Sequence, residues 1–432
     1  MRTLAGPALL ALLSATEACR ARDAPRAEVA SDAATAAPES PRAQGASNAI
    51  VPVRAAEGSQ PRWRSLARGA RPRGRERWRM DLTPRQPYGE IATDGITVYI
   101  AAVRDEPEGP TDGAVYAFDL DDGTIRWHTA LGGLHGEPLE LIDGVLVVDT
   151  IPHCKRRGPE TPGVLTRPCE ESGPGAVVGL DAATGRERFR APVSSDALRA
   201  RWTAAQIGAA VWVHDGPSAL RPLSLPAWGP AARVAAGGAV LNLPALGGDA
   251  LYTVRAPNGA TRLVRRGPGV ARPRWERALP LHTHCPAVSS GPVTVLPAFQ
   301  SSAVTGAARA LLGADGADLW SAPAPQRVGT CGAIEGGAFY QVVDDAIVAY
   351  RVIDGRQRAR LALPVALTSD MAALMDGVLY LSARGRLAGV DLINGHVSVS
   401  VDTGATACES AVLWGGRGVV ATRDPGLVVG FE

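Results

Sequence analysis

The sequence predicts an all-β protein, an eight-bladed β-propeller of four-stranded antiparallel blades closed by an N-terminal strand. Three observations predict it: a turn signature that returns five times in register, a second strand–turn–strand motif before each copy, and a composition suited to short strands. The chain has 49 glycines and 34 prolines among 432 residues, with 5% aromatics. That balance favours many turns over long helices.

The first element, residues 1–19, has a basic start at Arg2, an apolar run from Leu4 to Leu13 and small residues leading to Ala18-Cys19. This is the form of a secretory signal, too short to cross a bilayer as a mature helix. Cys19 after Ala18 also resembles a bacterial lipoprotein site, although Thr16 and Glu17 depart from the usual residues there. Ordinary cleavage nearby, after Ala18 or Ala21, is the alternative, and acylation at Cys19 would turn a soluble exported protein into an anchored one.

Residues 20–73 are rich in Ala, Pro, Ser, Glu and Arg and nearly devoid of large apolar side chains until Trp63. Such a stretch buries too little surface to offset its ordering entropy and is expected to be a disordered tether. Between positions 62 and 79 eight arginines face one acid, Glu76. A solvated basic linker running into a strand explains the run more simply than contact with an anionic surface. The net charge of +2 excludes bulk electrostatic attraction to nucleic acid. Residues 74–432 are expected to form the propeller, and no later segment is apolar for long enough to span a membrane as a helix.

The repeat is sharpest at residues 113–129, G-A-V-Y-A-F-D-L-D-D-G-T-I-R-W-H-T. It reads as a strand, a tight hairpin turn and a second strand, with Asp122-Gly123 expected to form a two-residue turn of the primed type. Aligned on the glycine, the copies are Gly123, Gly185, Gly316, Gly355 and Gly395. Four residues later stand Trp127, Phe189, Trp320, Ala359 and Val399, and four residues earlier Asp119, Asp181, Leu312, Arg351 and Asp391. The preceding motif gives units beginning near Tyr88, His135, Ala204, Ala235, His284, Thr330, Ser369 and Ala407, four strands in roughly 40 residues each. The copies around residues 207–214 and 239–254 are the weakest.

The last unit supplies three strands and then the chain stops. The missing fourth is available at residues 75–80, R-E-R-W-R-M, where Trp78 matches the tryptophans at the same strand position. Closure from the front removes an open sheet edge.

The pattern of strand, Asp, three residues, Gly, three residues and Trp resembles the repeat of the pyrroloquinoline-quinone-like β-propeller superfamily, which includes quinoprotein alcohol dehydrogenases and BamB-like outer-membrane assembly lipoproteins. The resemblance covers about residues 75–432. It implies that Trp78, Trp127 and Trp320 dock between neighbouring blades, in keeping with their size and amphipathic character. It does not carry a cofactor: quinoproteins stack the quinone on adjacent cysteines and hold calcium with axial acids, whereas no two cysteines are adjacent here. No cofactor is expected.

The remaining candidates are six cysteines and their neighbours. Cys154 and Cys169 bracket a Pro- and Gly-rich insertion and are expected to form a disulfide in an oxidising compartment. Cys285, Cys331 and Cys408 recur at the start of inner strands, where small buried residues are favoured. Cys285 and Cys331 sit on neighbouring blades and are placed to bond, leaving Cys408 free. The sharper alternative is a soft-metal or thiol site built from His282, His284, Cys285, Cys331, Cys408 and His135 at one channel mouth. Asp119-Leu120-Asp121-Asp122-Gly123 lacks the bidentate Glu of a calcium loop and is read as a turn. No Gly-rich phosphate loop, Gly-x-Ser-x-Gly elbow or His-Glu-x-x-His is present.

Two functions follow as expectations. The first is an exported, envelope-associated and non-catalytic scaffold that binds protein partners through loops on its faces, acting as a monomer. The second is a degenerate quinoprotein-type oxidoreductase or a metal-binding protein using the central channel.

Overall fold

The computed structural model describes residues 72–432 except 105–111, 133, 151–174, 194–203, 208–209, 215–218, 225–227, 231–233, 243–244, 247–248, 257–259, 268–271, 280–286, 301–304, 313, 407 and 423–424. The described residues are all-β and belong to one compact unit, Arg54–Glu432. They form eight antiparallel sheets, each an up-and-down meander, arranged as an eight-bladed propeller, as the repeats predict.

Blade 1 is typical. Its strands, from the inside outward, are Gln86–Thr93, Thr97–Arg104, Asp112–Asp119 and Ile125–Gly132. The second and third are buried almost throughout, because each lies inside its sheet and between two other blades. The outermost alternates exposed with half-buried residues, as an edge strand with one packed face should.

Blade 8 is assembled from both ends of the chain. Cys408–Trp414, Arg417–Thr422 and Leu427–Phe431 are followed spatially by Glu76–Asp81, which pairs antiparallel with Leu427–Phe431. The N-terminal strand therefore closes the ring. The junction also keeps the hairpin geometry without a covalent loop, since Arg75 and Glu432 exchange two backbone hydrogen bonds of 2.9 Å.

Blades 3 and 4 depart from the pattern. The outer strand of blade 3 is broken into Gly229–Pro230 and Val234–Ala235, which both pair with Ala219–Ser224. In blade 4, Ala239–Asn242 and Ala245–Leu246 share the second strand, Asp249–Arg255. Blade 5 carries a small extra ribbon, Phe299–Gln300 with Thr305–Gly306, between its second and third strands.

The core is not one cluster but a series of slabs between blades. Trp78, Phe118, Val412 and Val419 fill the junction of blades 8 and 1, and Tyr99, Val115, Leu146 and Val178 that of blades 1 and 2. Phe339, Val348, Val295 and Ala310 do the same for blades 5 and 6. Burial between neighbours, at about 25 cal/mol per Å² of apolar surface, is what holds such a ring together.

The repeat turns differ from the sequence expectation in one respect. The Gly123 hairpin is not a two-residue turn: the Gly123 N–H donates to the Asp119 carbonyl at 3.0 Å and the Asp119 N–H to the Thr124 carbonyl at 2.8 Å, enclosing four residues. The same pair of bonds closes the hairpins of Gly185, Gly316, Gly355 and Gly395. The primed two-residue turns lie instead between the first and second strands, as at Asp143-Gly144 and Asp376-Gly377, where both residues have positive φ. A longer loop gives the aspartate four residues before the glycine its use, because Asp119 Oδ1 accepts the Asp121 N–H at 2.8 Å.

Candidate functional site

Strand direction divides the propeller into two faces. The turns between first and second strands and the repeat hairpins share one face, where the Leu120 N–H donates to the Ile96 carbonyl and the Ala182 N–H to the Gly144 carbonyl, both at 2.9 Å. The loops between second and third strands share the other face with the connections between blades. We call these the hairpin face and the loop face.

Of the cysteine and histidine positions, Cys331, Cys408 and His135 stand on the loop-face side of their blades, each at or next to the start of an inner strand. Cys408 begins the inner strand of blade 8 and Cys331 precedes that of blade 6 by two residues. His282, His284 and Cys285 lie outside the described residues, as do Cys154, Cys169 and Cys19. His135 falls in the inner strand of blade 2, and its side chain is outside the description.

Cys331 is buried and disulfide-bonded, whereas Cys408 is buried and carries a thiol outside any disulfide. The Cys408 N–H donates to Ser382 Oγ at 2.9 Å, and that hydroxyl lies 2.8 Å from Thr368 Oγ1. Burial pushes the Cys408 thiol up to about 11, with Ser382 and Thr403 only partly opposing it, so at neutral pH it is protonated and a poor nucleophile or metal ligand. Among the described residues no three His, Cys, Asp or Glu side chains are grouped to hold a metal ion.

Other buried polar groups at this face serve the backbone. Thr422 Oγ1 donates to the Pro425 carbonyl at 2.7 Å. Gln341, 1% exposed, fastens blade 5 to blade 6: its Oε1 accepts the Ala298 N–H at 2.9 Å, and its Nε2 donates to the Ala298 and Thr330 carbonyls at 2.8 Å. These contacts leave the groups structurally employed rather than poised for chemistry.

At the hairpin face the aspartate-rich turn of blade 1 is likewise engaged. Asp119 is held below the usual carboxylate range, first by the hydrogen bond from Arg126, at 2.6 Å. Asp122 accepts the Thr124 N–H at 2.8 Å, and Asp121 pairs with Arg77 and Arg417 of blade 8. Asp181 is lowered chiefly by its hydrogen bond from Thr184.

The outer-strand aromatics meet the hairpin glycine of the next blade. A Cβ on Gly123 would lie 2.6 Å from the Trp78 ring, one on Gly185 2.5 Å from Trp127, and one on Gly355 2.5 Å from Trp320. Each indole N–H then donates to the carbonyl three residues before that glycine: Trp78 to Leu120 at 3.0 Å, Trp127 to Ala182 at 2.9 Å, and Trp320 to Val352 at 2.7 Å. Glycine is required twice over, by φ values of 68° to 74° and by the ring lying against it.

Sequence reasoning missed three members of this series. Trp275 packs on Gly316, where a Cβ would stand 2.9 Å from its ring; no hairpin glycine stands four residues before it to reveal it. Leu361, not Ala359, packs on Gly395, where a Cβ would stand 3.6 Å from it. Gly74, with φ of 80°, stands against the Ser400 backbone at the hairpin position of blade 8, and its spacing of four to Trp78 was visible in the sequence.

A quinone cofactor is not matched by these residues. The six cysteines include no adjacent pair, and the described acids of the hairpins are taken up by turn N–H groups and arginines.

Comparison with known proteins places the chain. No curated protein matches it. Among solved structures, BamB from Moraxella catarrhalis superposes with a TM-score of 0.56 at 15% identity, covering 83% of this chain and 97% of that one. The computationally designed Ika8 protein gives 0.57 at 12% identity over 83% of this chain and all of its own. A europium-containing methanol dehydrogenase gives 0.54 at 11% identity, covering 82% and 84%. At these identities the likeness is one of fold. The family model described as outer membrane protein assembly factor BamB matches residues 64–283, just over half of the sequence, and the chain belongs to that family.

Proposed function

We propose that this chain is an exported, envelope-associated, non-catalytic scaffold that binds protein partners, as BamB-type propellers do. The observation that carries the reading is the family match over residues 64–283, which stands on the same ring that covers nearly all of the Moraxella protein. In this reading residues 1–19 are the signal, Cys19 is an acylation site at the outer membrane, residues 20–73 are the tether and residues 74–432 the propeller. Rigid blades hold variable loops in fixed relation, which suits recognition of large partners. The insertion bounded by Cys154 and Cys169, closed by a disulfide, is the proposed contact element, and Cys285 is the proposed partner of Cys331. Function requires no cofactor, and the protein acts as a monomer.

The test is affinity capture from envelope extracts with the full-length protein and with a variant lacking the loop between Cys154 and Cys169. A specific envelope protein lost on loop deletion is expected. Identical partners with both would remove the loop from the proposal, and no specific partner with the intact protein would overturn the scaffold reading. Peptide mapping without reduction checks both disulfides.

A further inference from the structure

The five repeat hairpins hold a comparison within one molecule. The residue before the glycine is Asp122, Thr184, Asp315, Asp354 or Asn394, and in each its side-chain oxygen accepts the N–H of the residue after the glycine. For Asp122, Asp315 and Asn394 the distances are 2.8, 2.9 and 2.8 Å. The Asn394 position therefore uses only the carbonyl oxygen of its amide, and the Nδ2 group is what distinguishes it from its sister aspartates.

Asn394 is followed by Gly395, which lacks a Cβ to obstruct its nitrogen. We propose that Asn394 is a site of spontaneous deamidation gated by opening of the blade 7 hairpin. In the reaction the Gly395 nitrogen attacks Asn394 Cγ, forming a C–N bond. The Cγ–Nδ2 bond breaks, and Nδ2 leaves as ammonia with the proton from the Gly395 nitrogen. Water then opens the cyclic imide, breaking one of its two C–N bonds, to give Asp or its β-linked isomer.

The closed hairpin opposes the attack. The Gly395 N–H donates to the Asp391 carbonyl at 2.8 Å, and the Asn394 carbonyl oxygen is held by the His396 N–H, so nucleophile and electrophile are both engaged elsewhere. Opening is easier here than at the Gly123, Gly185 and Gly355 hairpins, because the residue seated on Gly395 is Leu361, 3.6 Å from where a Cβ would stand, with no indole to hydrogen-bond the hairpin carbonyl. The product matters to the surface: Asp at 394 matches the sister hairpins and adds a negative charge beside Ile393, the most exposed large apolar side chain among the described residues at 84%. The β-linked isomer lengthens the backbone and breaks the bonds that close the loop.

The test incubates the full-length protein at pH 8 and follows the 394 peptide by mass spectrometry, with Asn258-Gly259 in the same digest as a second Asn-Gly site. Conversion at Asn394 is expected to be at least about tenfold slower in the folded protein than in urea, and Leu361→Ala is expected to raise the folded rate by about tenfold through hairpin opening. Asn394→Asp should fold normally with an unchanged melting temperature. Equal rates in folded and unfolded chains would overturn the gating, as would a Leu361→Ala protein that is destabilised yet converts no faster. A folded Asn394→Asp protein with a lowered melting temperature would overturn the equivalence with the sister hairpins.

Discussion

The junctions from blade 8 to 1, 1 to 2 and 5 to 6 are built alike, with an indole seated on a hairpin glycine and its N–H on the neighbouring carbonyl. The junction from blade 6 to 7 reaches the same end with Leu361 on Gly395 and no side-chain hydrogen bond at that place. From blade 2 to 3 the solution is different again: Phe189 stacks on Trp228 with ring centroids 4.5 Å apart. Trp228 occupies the hairpin-glycine position, since its N–H donates to the Ser224 carbonyl at 2.7 Å and its φ is 56°. Repeat units tolerate loss of the signature because what each junction must conserve is filled volume between hairpin and outer strand, not a particular side chain.

The largest effect is expected where a junction also closes the ring. Deleting residues 70–82 removes Trp78 and Leu82 from the slab between blades 8 and 1 and leaves Leu427–Phe431 as an open edge. A severe loss of thermal stability, with aggregation, is expected in a calorimetric scan; an unchanged melting temperature would contradict closure.

Trp320→Ala is expected to cost about 3 kcal/mol by cavity formation and Leu361→Ala about 2 kcal/mol, the low end of each range because both side chains are only partly buried. Trp320→Phe removes the hydrogen bond with a smaller loss of volume, and an intermediate cost of about 1–2 kcal/mol is expected. Urea denaturation of the three variants ranks them, and an alanine series in which Leu361 matches Trp320 would mean that the two junctions are equivalent.

How much of this was legible in the sequence follows the same division. The glycine-to-tryptophan spacing announced the blades that carry it, because backbone conformation and ring packing together restrict both positions, and the closing strand was announced by Trp78 and the unfilled fourth strand of the last unit. Leu361 was not legible: Ala359 stands in the aligned place, and only strand register shows that the residue two positions on shares its face. The four-residue hairpin was misread as a two-residue one because Asp-Gly signals both, and the chain-closing bonds are backbone bonds that leave no side-chain trace. Counting strands puts Cys331 and Cys408 at one face, yet sequence could not tell that Cys331 is disulfide-bonded and Cys408 is not, which depends on neighbours remote in the chain.

A smaller effect separates glycines of similar φ, 68° at Gly355 and 75° at Gly385. Gly355→Ala sets a methyl against the Trp320 ring, whereas Gly385→Ala, with φ of 75°, meets nothing within 4 Å. Both carry the strain of a left-handed residue, about 1 kcal/mol, and only the first adds the overpacking cost of about 1–3 kcal/mol. Comparable destabilisation of the two in urea would mean that the glycines serve the turn alone and not the docking.

The smallest effect concerns pH at the two faces. Asp119 and Asp181 on the hairpin face are lowered in the folded state, so their contribution is present above the unfolded carboxylate range near 4 and is lost as pH falls through their folded values. Cys408 on the loop face has the opposite sign. Its folded value of about 11 lies above the ordinary thiol value of 9.0, so between those limits the unfolded chain loses its thiol proton while the folded chain keeps it, and stability falls as pH rises. Cys408→Ala should lessen the alkaline slope, to which Tyr99, Tyr252, Tyr340 and Tyr350, also raised by burial, contribute, while leaving the acid limb untouched; urea midpoints at pH 3, 8 and 10 would register both. The same burial predicts that Cys408 in the native protein resists alkylation at pH 8 and reacts on unfolding, and rapid native labelling would show a thiol exposed at the loop face rather than packed between blades.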